Sequence, residues 1–68
     1  MKFTERFNEL IKDCGKTQVQ IANEIQVSKQ CVTDYKSGKS MPSVETLYLI
    51  CLCLDVSSDY LLGLTDEY

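Results

Sequence analysis

The chain contains no histidine and no tryptophan, and among its 68 residues there are one proline and three glycines. Without histidine, the side chain best suited to move protons near neutrality is missing. No serine, threonine or cysteine stands beside an evident base, so nucleophilic catalysis is not expected either. Gly15, Gly38 and Gly63 are too scattered to form a loop that cradles phosphate. No apolar run reaches 18 residues, which excludes a membrane-spanning helix. The opening Met1-Lys2-Phe3-Thr4-Glu5-Arg6 lacks the hydrophobic segment of a secretory signal. The expectation is a cytoplasmic, non-enzymatic protein with no membrane association, no cofactor and no small-molecule ligand.

Four cysteines are present, but their spacing does not suit a metal or a disulfide framework. Cys14, Cys31, Cys51 and Cys53 include no C-x-x-C pair. Cys51 and Cys53 fall two apart in a predicted helix, so their side chains diverge by about 160°. They read as reduced thiols acting as small hydrophobic groups.

A positive excess is also lacking. The net charge is −3, which by itself argues against a polyanion partner. Its distribution reverses that argument. Residues 1–27 balance to zero, Lys29, Lys36 and Lys39 outweigh Asp34 across 28–40, and residues 41–68 carry Glu45, Asp55, Asp59, Asp66 and Glu67 with no cation. Positive charge is thus concentrated in the middle of the chain and the end is acidic.

The chain is long enough for one domain, residues 1–68, with a core of marginal size. Its periodicity predicts five helices and no strand. Phe3, Phe7, Leu10, Ile11 and Cys14 form an apolar stripe over about residues 2–14, ended by Gly15. A second helix covers about 18–25, with Thr17 and Gln20 in capping-box spacing and Ile21, Ala22 and Ile25 inward. Gln26-Val27 form a turn. A third helix covers about 29–37, capped by Ser28, with Val32 and Tyr35 inward and Cys31 at the edge of that face; Lys29, Gln30, Thr33 and Ser37 lie opposite. A fourth covers about 44–54 after Pro42-Ser43, with Val44, Leu47, Ile50, Cys51 and Leu54 inward. Ser57 caps a short fifth helix that Gly63 stops. The second and third helices, about 17–37, form two short helices around a tight turn, the minimal arrangement for placing a helix in the DNA major groove.

With these elements in place, the chain resembles the lambda-repressor-like helix-turn-helix family, of Cro/CI or Xre type. The resemblance rests on Thr17-Gln18, Ala22 with Ile25, Val27-Ser28, Tyr35, Ser37-Gly38-Lys39, Met41-Pro42-Ser43 and the run from Asp55 to Leu64, in that order. It implies an all-α, five-helix domain that binds operator DNA as a dimer and regulates transcription, most often as a repressor of bacterial or phage type. It further implies that Gln18 lies near a phosphate, that the third helix enters the major groove, and that Lys39 and Ser40 follow the DNA backbone. Two features depart from the family pattern. Gln26 stands where glycine is common, and the third helix has no arginine for bidentate guanine contacts.

On this reading Lys29, Gln30 and Thr33 are candidates for base readout. Lysine reaches guanine acceptors, glutamine pairs with adenine, and the threonine methyl contacts that of thymine. The alternative is an ordinary solvated helix face. Asp34 is open between accepting from cytosine, repelling phosphate and pairing with lysine. Gln18, Lys36, Lys39 and Ser40 are candidates for phosphate contact, which positions without specifying. Tyr35 reads as core rather than as a stacking residue.

The fourth helix is apolar on both sides, because Tyr48, Leu49, Leu52 and Cys53 lie opposite its inward stripe. Tyr48, Leu49 and Leu52, with Leu61, Leu64 and Tyr68, are therefore expected to form a protein interface within about 44–68, most simply a homodimer. The alternative is a tail folded back over the fourth helix. A rival function follows from the same features. The acidic balance, the arginine-free third helix and the apolar fourth helix also suit a protein-interaction module on this fold, such as an antitoxin or a regulator's partner.

Overall fold

Hydroxyl side chains decide where four of the five helices begin. The computed structural model describes residues 1–68 and contains α1 (Phe3–Asp13), α2 (Gln18–Glu24), α3 (Lys29–Ser37), α4 (Val44–Leu54) and α5 (Ser58–Leu62). Thr17 Oγ1 accepts from the Gln20 amide at 3.1 Å, and Gln20 Oε1 accepts from the Thr17 amide at 2.8 Å. This reciprocal pair satisfies two donors left free at the start of α2. Ser28, Ser43 and Ser57 each accept from the amide three residues on and start α3, α4 and α5. α1 has no side-chain cap. Its entrance is held from a distance, by the Lys2 amide donating to the Leu62 carbonyl at 3.4 Å.

The helix ends divide between residues suited to their backbone and residues that tolerate it. Gly38 (φ 80) ends α3 and Gly63 (φ 85) ends α5 in the left-handed region, which glycine enters without steric penalty. Gln26 takes the same region at φ 61, in the α2–α3 turn. The chain therefore keeps the turn geometry despite lacking glycine there, at a cost of about 1 kcal/mol.

The core joins all five helices. Phe3 and Phe7 of α1, Ile21 and Ala22 of α2 with Ile25 at its C-terminal cap, Val32 and Tyr35 of α3, Ile50 of α4 and Leu61 of α5 are buried together. The Phe3 and Phe7 rings stack at 5.1 Å, and Tyr35 meets them edge-on at 6.5 and 6.1 Å. Tyr35 is thus a core residue, and burial pushes its phenol up from the ordinary tyrosine value. Cys14, Cys31, Cys51 and Cys53 are free thiols packed against this core. Burial raises the Cys51 and Cys53 thiols further, in keeping with an apolar packing role.

Two expectations fail. Val44, expected inward, is 85% exposed. It is the first residue of α4, ahead of the turns that pack on α2 and α5, and Ile50 is the position α4 buries completely. Leu61, expected on an interface, is 0% exposed. α5 has five residues and lies against α1 and α4, so Leu61 goes inward to anchor it.

The chain end does not lie over α4 either. Arg6, buried on α1, donates to the carbonyls of Tyr60 and Thr65 and to Asp66 Oδ1 at 2.7 Å, with its guanidinium 4.2 Å from the centre of the Tyr60 ring. The Ser57 amide donates to the Tyr68 carbonyl at 2.6 Å, and the Tyr68 ring meets Tyr60 edge-on at 4.6 Å. These contacts hold the tail on α1 and α5. No helix is long and apolar enough to cross a membrane.

Candidate nucleic-acid interface

The α2–α3 unit owes its geometry to both its turn and its side chains. Ala22 contributes a small buried surface to α2 and accepts from the Val27 amide at 3.0 Å, which closes the turn. Val32 and Tyr35 then face the core, so Lys29, Gln30 and Thr33 project to solvent on the other side of α3. The periodic reading of α3 and the structure agree on these faces.

Polar side chains tie the two helices together across that surface. Gln18 Nε2 donates to Thr33 Oγ1 at 2.6 Å and to the Lys29 carbonyl at 3.3 Å, while Gln18 Oε1 accepts from Lys36 Nζ at 3.4 Å. Gln18, Lys29, Thr33 and Lys36 therefore form one cluster. Gln30 stands apart from it and donates through Nε2 to Asp34 Oδ1 at 3.0 Å. Asp34 does not pair with a lysine; its carboxylate accepts from Gln30 instead.

Lys39 and Ser40 are placed beside α3 by backbone bonds. Both amides donate to the Asp34 carbonyl, at 3.0 and 3.4 Å, folding the loop after Gly38 over the end of the helix. Asn8 braces the same end from α1, its side-chain amide donating to the Lys36 and Thr4 carbonyls at 2.8 Å each. The role of Asn8 is not legible in the sequence, because a polar residue inside an amphipathic helix carries no signal of the carbonyl it will meet.

Electrostatically the surface is a set of unpaired cations. The structure contains two ion pairs, Arg6–Asp66 and Lys16–Glu24. Lys29, Lys36 and Lys39 take part in neither. In the second pair, the Glu24 hydrogen bond holds Lys16 above its ordinary value, and the same bond holds Glu24 below its own. Cations without a carboxylate partner, beside exposed amide and hydroxyl groups, suit a surface that meets phosphate.

The other expected surface is only partly assembled. Tyr48 and Leu52 are each 63% exposed and follow Val44 at four-residue steps along one ridge of α4. Leu49 is half-buried beside them, lining hollows with Gln26 and Glu24. Tyr68 is exposed near the start of α5, and Leu64 lines a separate hollow with Met1, Lys2 and Leu62. Leu61 belongs to none of these surfaces.

The helix-turn-helix family profile matches residues 8–61. The chain is 41% identical over 69 residues to the cryptic phage CTXphi transcriptional repressor RstR of Vibrio cholerae, a match covering 98% of this chain and 62% of that protein. It is 32% identical over 65 residues to the uncharacterized HTH-type transcriptional regulator YobD of Bacillus subtilis, covering 96% and 58%. It is 34% identical over 63 residues to the HTH-type transcriptional activator BcrR of Enterococcus faecalis, covering 93% and 31%. The chain therefore spans less than two thirds of the length of each of these relatives. No solved structure matches it. With five helices, no strand and a turn-linked α2–α3 pair inside the matched span, the chain belongs to the helix-turn-helix family, of the lambda-repressor-like, Xre type.

Proposed function

We propose that this chain is a cytoplasmic, sequence-specific DNA-binding regulator of transcription, a Cro/Xre-type repressor that occupies an inverted-repeat operator as a homodimer. One observation carries the reading: α3 presents Lys29, Gln30 and Thr33 to solvent, flanked by Lys36 and Lys39, and none of these lysines has a carboxylate partner. Lys29, Gln30 and Thr33 read bases, while Gln18, through its backbone amide at the start of α2, and Lys36, Lys39 and Ser40 engage phosphates. The proposed chemistry is binding, without catalysis or cofactor.

An inverted repeat calls for two copies. Each carries one α3, and successive major-groove faces lie ~34–36 Å apart. The second copy is assigned to the α4 ridge, where Tyr48 and Leu52 are exposed with Leu49 at the margin, because a contiguous apolar ridge is costly to leave in water; Tyr68, packed on Tyr60 of α5, joins it where the pair reaches that helix. Leu64 belongs to this surface only if the pair extends past α5.

The test is selection of bound duplexes from a random library at low salt. Enrichment of an inverted repeat supports a dimeric reader; a folded protein that enriches nothing removes the proposal. The exposed α4 ridge on an acidic chain favours a second reading, a protein-interaction module such as an antitoxin. Salt separates the two, since affinity resting on several phosphate contacts falls steeply as salt rises.

A further inference from the structure

Two glutamines on the proposed reading surface are held in opposite senses by charged neighbours, and this determines what each has left to offer. A carboxylate accepts hydrogen bonds and does not donate, so Asp34 must face the amide nitrogen of Gln30, as it does at 3.0 Å. An ammonium group only donates, so Lys36 must face the amide oxygen of Gln18, as it does at 3.4 Å. Both amide hydrogens of Gln18 are then directed inward, to Thr33 Oγ1 and the Lys29 carbonyl. The Thr33 hydroxyl, accepting from Gln18, sends its own hydrogen to the Lys29 carbonyl at 3.3 Å. The polar atom of Thr33 is engaged within the protein, and its methyl group is the part left for a ligand.

Gln30 is left with one amide hydrogen and its carbonyl oxygen. That adjacent donor and acceptor match the N7 acceptor and N6 donor of adenine. Guanine presents two acceptors, N7 and O6. A free glutamine could give both amide hydrogens to guanine, but Asp34 withholds one of them. We propose that Asp34 is a positioning residue that makes Gln30 discriminate adenine from guanine, and that Gln18, by engaging the Thr33 hydroxyl, leaves Thr33 to read thymine through its methyl. The proposal rests on α3 being the DNA-reading helix and adds how Asp34 and Gln18 fix its reading, to an adenine at the position of Gln30 and a thymine at that of Thr33.

Asp34 can be replaced without unmaking α3. Its backbone carbonyl, not its side chain, accepts the bonds that close the helix end, and its carboxylate bonds only to Gln30. Asp34→Ala removes the acceptor and the charge, whereas Asp34→Asn removes the charge and keeps an acceptor. Loss of charge strengthens binding to every duplex alike. Loss of the acceptor changes the ratio between bases.

The experiment begins with duplexes selected from a random library by the unmodified chain, and Gln30→Ala identifies the position that Gln30 reads. Competition binding then compares adenine and guanine there for Asp34→Ala and Asp34→Asn, with helix content and thermal melting as checks on folding. The expected result is a preference for adenine that falls about fivefold or more in Asp34→Ala, the low end of what a bidentate pair supplies, and persists in Asp34→Asn. At the Thr33 position, uracil in place of thymine weakens binding about two- to fourfold, the worth of one methyl contact. An unchanged adenine-to-guanine ratio in Asp34→Ala, or a Gln30 position that prefers another base, overturns the proposal while leaving α3 as a reader. A wild-type chain that selects no sequence overturns both.

Discussion

The outer faces of α3 and α4 are both open to solvent, and they are built on opposite terms. On α3, Gln30 and Thr33 have hydrogen-bond partners within the protein, and the lysines nearby lack carboxylate partners. On α4, the exposed ridge of Val44, Tyr48 and Leu52 is hydrocarbon and phenol. Water solvates the first face at no cost and the second at about 25 cal/mol per Å² of apolar area. A polar face needs no partner to be stable, so its function lies in how its groups are oriented. An apolar face carries that cost until it is covered, which is why the proposed second copy is assigned to it.

The sharpest way to break this comparison is to test where the apolar face stops. Leu61 was expected to share it and is in the core instead. Leu61→Ala is expected to cost about 2–4 kcal/mol in a denaturant titration, whereas Leu52→Ala costs about 0.5 kcal/mol or less when both are measured dilute enough to be monomeric. Similar losses for both would mean that Leu52 is buried in the folded monomer.

The next largest effect concerns the cations of the α3 side. Lys36→Ala combined with Lys39→Ala is expected to reduce the slope of log affinity against log salt by about two, close to one for each phosphate contact removed, while leaving sequence preference unchanged. A shift in preferred sequence with an unchanged slope would exchange the roles assigned to lysines and glutamine. On α4 the counterpart is Tyr48→Lys with Leu52→Lys. Sedimentation is expected to show a monomer with unaltered helix content, since neither side chain is buried. A double variant that keeps the wild-type association state would remove α4 from the interface.

The smallest effect lies between the two faces. Gln26 adopts a left-handed backbone and lines a hollow with Tyr48 and Leu49. Gln26→Gly is expected to raise stability by about 0.5 kcal/mol, relief of strain exceeding the added entropy of the unfolded chain. A thermal melt checks the sign.

The extent to which these features were legible in the sequence follows the range of the interaction. Thr17, Ser28, Ser43 and Ser57 act on amides three residues away, so spacing alone located the helix starts. Tyr35 shares a helical face with Val32, and its burial follows from that register. Leu61 lies beyond that range, because five residues are too few for periodicity to tell inside from outside. Val44 fails for a related reason, since periodicity does not say where along a helix its neighbours begin. Arg6 was invisible as a tail anchor, because its partners Tyr60, Thr65 and Asp66 lie more than fifty positions away.

By itself the sequence determined the five helices, their caps, the apolar stripes that bury them, and a central run of lysines beside an acidic end. These depend on neighbours within about one turn, where chemistry and spacing decide the outcome. The tertiary structure alone decided that Leu61 is core, that the tail lies on Arg6 instead of α4, and that Gln18 reaches Thr33 and Lys36 across the turn. Each of these joins residues on different elements, and only packing brings such groups within hydrogen-bonding or van der Waals distance. Gln30 and Asp34 stand at the boundary: their spacing on one helix was readable, but which of the available partners Asp34 would take depended on the three-dimensional surroundings of both.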